Sequence, residues 1–157
     1  MKEPQHTRVG SLATELIVEI FRLNGRLLAE GDRLVAPLAI TSARWQVMGA
    51  IALSPAPETV ARLARTMGLT RQGVQRIVDE LAVQGMVALR PNPHHQRARL
   101  VVLTTQGEVA YAAATALQVP WVNALAREMS PDEIAGACAL LRTLRRRLEH
   151  GAPGTDG

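Results

Sequence analysis

Arg71, Gln72, Gln75 and Arg76 recur at three- and four-residue steps, so on an α-helix they share one face. A guanidinium offers paired donors, and a glutamine amide offers a donor beside an acceptor. Both can make two parallel hydrogen bonds to a flat acceptor. On guanine and adenine edges such pairs discriminate by about 1–3 kcal/mol each. Farther along, Arg97 and Arg99 close a polar run from Pro91 to Arg99. Their charge suits a phosphate track or a minor groove. The residues for one kind of recognition, of duplex nucleic acid, are therefore present within a short stretch.

The charge distribution points the same way. From Val60 to Arg99 seven arginines face two acids, Asp79 and Glu80, a net +5. Outside that window the 11 basic and 12 acidic residues nearly cancel, so the whole formal charge of +4 comes from one segment. Aromatic residues make up only 3% of the 157-residue chain, which leaves few stacking platforms for single strands or RNA. Double-stranded DNA is the expected partner.

The elements that must position these side chains can be read from periodicity and punctuation. A first helix is expected from about Ser11 to Glu30, with Leu12, Leu16, Ile17, Ile20, Leu23, Leu27 and Leu28 as an apolar stripe. A loop, Asp32 to Thr41, follows, and Ser42 is read as the N-cap of a second helix reaching Leu53. Pro55 and Pro57 leave room for only a short extended piece. Thr59 caps a third helix with Val60, Leu63 and Ala64 inward, and Met67-Gly68-Leu69 forms a sharp turn in which glycine adopts the left-handed conformation. Thr70 caps a fourth helix that buries Val74, Ile77, Val78 and Leu81, and leaves the arginine and glutamine face outside. The pattern is helix, tight turn, recognition helix.

Gly85 ends that helix, and the runs Met86–Arg90 and Leu100–Leu103 predict a two-stranded ribbon around the polar tip. A fifth helix is expected from Thr104 or Thr105 toward Met129, bent or split at Pro120. Ser130, Pro131 and Glu133 carry the signature of a capped helix start, and Ile134, Ala137, Leu141, Leu144 and Leu148 give the sixth helix an apolar stripe on which Cys138 also falls. Cys138 is therefore expected to be a packed thiol. Long amphipathic helices at both ends of the chain suggest a dimerisation layer.

Several classes are disfavoured. The single cysteine precludes an internal disulfide and fits a reducing compartment. With no apolar run of membrane-spanning length and no signal-peptide core, the expected location is cytoplasmic. His94-His95 without cysteines or carboxylates nearby makes a poor metal site. No nucleophile–base–acid set and no phosphate loop appear, so neither an enzyme nor a cofactor is expected.

Taken in order, Arg44–Ile51, Val60–Arg71, Val74–Leu81, Gly85-Met86-Val87 and the wing Asn92–Thr104, closing on Gly107, resemble the multiple antibiotic resistance regulator (MarR) family of winged helix-turn-helix repressors. The resemblance spans Leu12 to Leu148. It implies a mainly α fold with a small β wing, in which a winged helix-turn-helix core (about 42–104) is flanked by N- and C-terminal dimerisation helices (about 11–30 and 105–149). Together these form a single MarR-like domain over 11–150, with a flexible N-terminus at 1–10 and a disordered tail at 151–157.

The resemblance further implies a homodimer that sets one recognition helix in each of two major grooves of a pseudo-palindromic operator, with half-sites roughly 34 Å apart. It assigns Arg71, Gln72, Gln75 and Arg76 to base edges, and Thr70, Arg97 and Arg99 to the backbone or minor groove. Such regulators respond to small aromatic effectors, for which Trp45 and Met48 are the candidate pocket residues. The chain departs from the pattern at His95, where family wings usually carry an aspartate, and at Gly73, which lowers helix propensity by ~1 kcal/mol relative to alanine. The competing reading is a winged-helix protein-interaction module without specific DNA binding.

Overall fold

Threonine hydroxyls open the helices of the N-terminal half. Thr7, Thr41, Thr59 and Thr70 each accept a hydrogen bond from the backbone N–H three residues on, at Gly10, Arg44, Arg62 and Gly73. Each bond satisfies a donor that the first helical turn leaves without a carbonyl. The helices so begun are α1 (Arg8–Val35), α2 (Ser42–Leu53), α3 (Val60–Met67) and α4 (Arg71–Val83). The N-cap of α2 is thus Thr41 and not Ser42, whose own N–H is taken by the Asp32 carboxylate at 2.7 Å.

The computed structural model describes residues 5–151, in two compact units that divide between Gln118 and Val119. The expected flexible N-terminus lies outside the described residues at positions 1–4, but Arg8, Val9 and Gly10 are already helical. Positions 152–157 of the expected tail also lie outside the described residues.

α1 runs five residues beyond its expected end. Its only buried residues are Gly31 and Val35, which dock where the apolar stripe has already stopped. The segment expected as a loop is therefore partly helix, followed by a 3-10 turn at Ala36–Leu38 that accommodates Pro37 in its first turn.

The core of this unit gathers side chains from each element. Val47 and Met48 of α2, Leu63 of α3, Val74, Val78 and Leu81 of α4, and Val101 of the sheet are fully buried or nearly so. Complete burial of such side chains stabilises by about 1.5–3 kcal/mol apiece. The sheet has three antiparallel strands in the order β1 (Glu58–Thr59), β3 (Leu100–Leu103), β2 (Val87–Arg90). The short extended piece after the prolines was expected. Its pairing with the wing, Glu58 opposite Val101 and Thr59 opposite Leu100, was not. It fixes the start of α3 to the base of the wing.

α5 (Thr105–Leu125) is helical through Pro120, so of the bend or split expected there the split does not occur. Pro120 and Ala116, whose carbonyl loses its partner, are both exposed, and solvent can satisfy that carbonyl. In the C-terminal unit, α6 (Pro131–Glu149) starts at a complete capping box: Ser130 Oγ accepts from Glu133 N at 3.1 Å, and Ser130 N donates to Glu133 Oε2 at 3.0 Å. No residue of α6 is buried, and Ile134, Leu141 and Leu148 are exposed. Cys138 is exposed too, which corrects the expectation of a packed thiol. Periodicity identified its face, but nothing within its own unit buries it. Among the described residues no single helix is long and apolar enough to cross a membrane.

Candidate nucleic-acid interface

α4 is set by a turn whose amides bond back to α3. Gly68 adopts φ 67°, Gly68 N donates to Arg65 O and Leu69 N to Ala64 O at 2.9 Å, and Thr70 then caps α4. The left-handed residue reverses the chain within three positions. Thr70 Oγ1 lies 3.1 Å from Gly73 N, and a Cβ on Gly73 would sit 3.0 Å from the same oxygen. Gly73 therefore keeps the cap uncrowded. Thr70→Ala should lower stability by about 1 kcal/mol in a urea titration.

With Val74, Ile77, Val78 and Leu81 inward, Arg71, Gln72 and Arg76 are exposed and Gln75 is half-buried. All four line one groove of about 850 Å³ together with Arg44, Asp79 and Glu80. Gln75 donates through Nε2 to Asp79 Oδ1 at 2.8 Å, which engages the nitrogen end of its amide. Arg44 of α2 reaches Glu80 Oε2 with both Nε (3.2 Å) and Nη2 (3.0 Å). This pair joins positions 36 residues apart, and the sequence reading missed it. The available signal was that Asp79 and Glu80 are the only acids in the basic window. The pair is partly exposed, 22% and 40% for the two side chains, so it contributes at most about 1 kcal/mol to stability. Its effect is on direction more than on strength.

The wing tip is shaped by local bonds: Asn92 Oδ1 accepts from His94 N at 3.0 Å, Asn92 O from His95 N, and His95 O from Ala98 N. Arg97 and Arg99 are both exposed. They differ in commitment. Arg99 donates through Nη2 to Leu89 O of β2 at 2.7 Å, and so braces the base of the wing. The wing and α4 meet in a smaller cleft of about 220 Å³, lined by Arg71 and Gln75 of α4 and by Arg97 and Arg99 of the wing. Thr59 and Val60, at the start of α3, also line it. The sequence-predicted residues of helix and wing are thus brought to one surface. Trp45 and Met48 are elsewhere: Met48 is fully buried, and Trp45 is half-buried against the same core. A separate cavity of about 430 Å³ lies behind the wing, among Ile51, Pro55, Arg90, Val101, Glu108 and Tyr111. Among the described residues no three His, Cys, Asp or Glu side chains converge as metal ligands.

This geometry of turn, exposed helix face and basic wing has counterparts among known proteins. A model of the MarR family matches residues 40–98, from the end of the loop before α2 to the wing. An uncharacterized protein of Mycobacterium tuberculosis is 36% identical over 138 residues, covering 88% of this chain and 95% of that protein. The transcriptional activatory protein BadR of Rhodopseudomonas palustris is 29% identical over 152 residues, or 91% of this chain and 85% of BadR. Among solved structures, a mutant of MarR from E. coli complexed with operator DNA superposes with a TM-score of 0.67 at 28% identity, covering 82% of this chain and 94% of that one. By these matches, and by the winged-helix arrangement they share, the chain belongs to the MarR family of transcription regulators.

Proposed function

We propose that this regulator is a homodimer that binds a pseudo-palindromic double-stranded operator sequence-specifically and acts in the cytoplasm as a repressor released by a small aromatic effector. The observation that carries the DNA reading is the shared surface of α4 and the wing, where Arg71 and Gln75 face Arg97 and Arg99 across one cleft. In this reading Arg71, Gln72, Gln75 and Arg76 read base edges, and Thr70, Arg97 and Arg99 hold the backbone or minor groove. Dimerisation is supported by apolar side chains that the single chain leaves in solvent. On α1 these include Leu12, Ile17, Phe21 and Leu27, and on α6 Ile134, Leu141 and Leu148. Trp45, at the edge of the core, is the residue through which an aromatic effector would bias the shape, with Met48 behind it. The name of BadR favours a second reading of the regulatory sign, in which the bound dimer activates.

Selection of bound duplexes from a random pool tests this directly. Enrichment of an inverted repeat with half-sites about one helical turn apart is the expected result. Binding that is salt-sensitive but indifferent to sequence, or no binding, would favour the protein-interaction module. On the selected operator, Arg97→Ala should weaken cognate and random duplexes alike and reduce the slope of log K against log salt by about one unit. Arg99→Ala should change that slope less, since Leu89 O already engages part of its guanidinium.

A further inference from the structure

Arg76 has two acids in the places where a helical arginine ordinarily finds partners, Asp79 at i+3 and Glu80 at i+4. Neither is paired with it. Asp79 Oδ1 accepts from Gln75 Nε2 at 2.8 Å, and Glu80 Oε2 accepts both Nε and Nη2 of Arg44. Arg76 is exposed and, among the described residues, forms no ion pair. The three charged side chains Arg44, Arg76 and Glu80 line the same groove, and Glu80 is held by the arginine on α2.

We propose that Arg44 is a positioning residue for DNA reading: by occupying Glu80 it prevents an intrahelical Arg76–Glu80 pair and leaves the Arg76 guanidinium available to a base edge. The inference rests on the reading of α4 as the recognition helix. Physically, a bidentate contact to guanine needs both arms of the guanidinium at once. A carboxylate one turn away on the same helix competes for those arms and places a negative charge beside the phosphates. Arg44 removes both effects from a position on another helix. The fixed fork of the guanidinium, with two donors converging on one oxygen, suits it to the task better than a lysine.

The test measures the ratio of affinities for selected operator over random duplex in four proteins: wild type, Arg44→Ala, Glu80→Gln, and the double variant. Arg44→Ala is expected to lower the ratio about twofold, the scale of a helical ion pair that binding must break. Glu80→Gln is expected to keep the wild-type ratio, and the double variant to recover it, because the competing carboxylate is gone. If the double variant is as poor as Arg44→Ala, or if Glu80→Gln is itself equally poor, Arg44 acts by bracing α4 or by touching DNA, and the proposal is overturned.

A measurement on the free protein separates this from the DNA reading itself. By NMR, the Arg76 Nε–H should exchange more slowly in Arg44→Ala than in wild type, and return to the wild-type rate in the double variant. An unchanged rate in Arg44→Ala would also overturn the proposal. Wild-type protein that shows no preference for any duplex would sink the DNA reading, while the exchange rates would still report whether Arg44 controls the Arg76–Glu80 pair.

Discussion

Gly107→Ala is expected to be the most damaging conservative change in the chain, lowering stability by about 3 kcal/mol or more in denaturant unfolding. Propensity alone predicts the opposite sign, since alanine is favoured over glycine inside a helix by ~1 kcal/mol. The structure reverses it. Gly107 is buried in the first turn of α5, where an added Cβ would overlap the backbone carbonyl of Met86. A side chain could rotate away, but this carbonyl cannot, because it accepts the Thr104 N–H at 3.0 Å as the wing's last strand leaves the sheet. The same knot includes Thr104 Oγ1, which donates to Gly85 O at 2.6 Å and accepts from Gly107 N at 3.1 Å. Moving α5 outward would therefore loosen the exits of both α4 and the wing. Gly136 of α6 supplies the contrast: nothing lies within 4 Å of its would-be Cβ, so Gly136→Ala should gain a few tenths of a kcal/mol up to ~1. Equal effects at the two glycines would show that α5 does not dock on Met86 as described.

Arg76→Ala is expected to reduce operator discrimination by about 1–3 kcal/mol, or roughly fivefold to 150-fold, while random-duplex affinity falls much less. The two affinities separate because only the cognate contact uses the planar fork of the guanidinium, whereas nonspecific binding feels little more than its charge. Arg76→Lys sharpens the test. A lysine keeps the charge and loses the fork, so it should preserve most of the nonspecific affinity and recover little of the discrimination. Titrations of selected and scrambled duplexes at one salt concentration decide the matter. Sequence preference that survives Arg76→Ala would move the reading face to Arg71 and Gln72, one turn nearer the cap.

What could be read from the sequence was local. Thr59, Thr70 and the Ser130 capping box mark helix starts because each cap bonds within three residues of itself. The inward set Val74, Ile77, Val78 and Leu81 follows from a period that α4 keeps without interruption. Features that depend on distant contacts were not legible. The last turns of α1 are held by tertiary packing: Gly31 lies against the start of α2, where a Cβ at position 31 would crowd Ser42, and Val35 is buried in the core. The Arg44–Glu80 pair crosses 36 residues and lies beyond any rule of helical spacing. Arg99 was expected to serve DNA alone, and its bond to Leu89 O became visible only once the register of the wing, with Leu89 opposite Val101, was known. The exposure of Cys138 depends on what covers α6, which an apolar period cannot tell.

The choice of threonine as the cap has an electrostatic consequence. Aligned peptide dipoles leave about half a positive charge at a helix N-terminus, and an acidic cap or first turn cancels part of it. Helices α1 to α4 have no acid in their first turns, whereas α6 has Asp132 and Glu133. A hydroxyl cap anchors α4 without spending that partial charge, so the backbone itself adds to the positive potential of the face formed by α4 and the wing. Replacing Thr70 with aspartate would preserve the cap bond and still make this face less attractive to an anion.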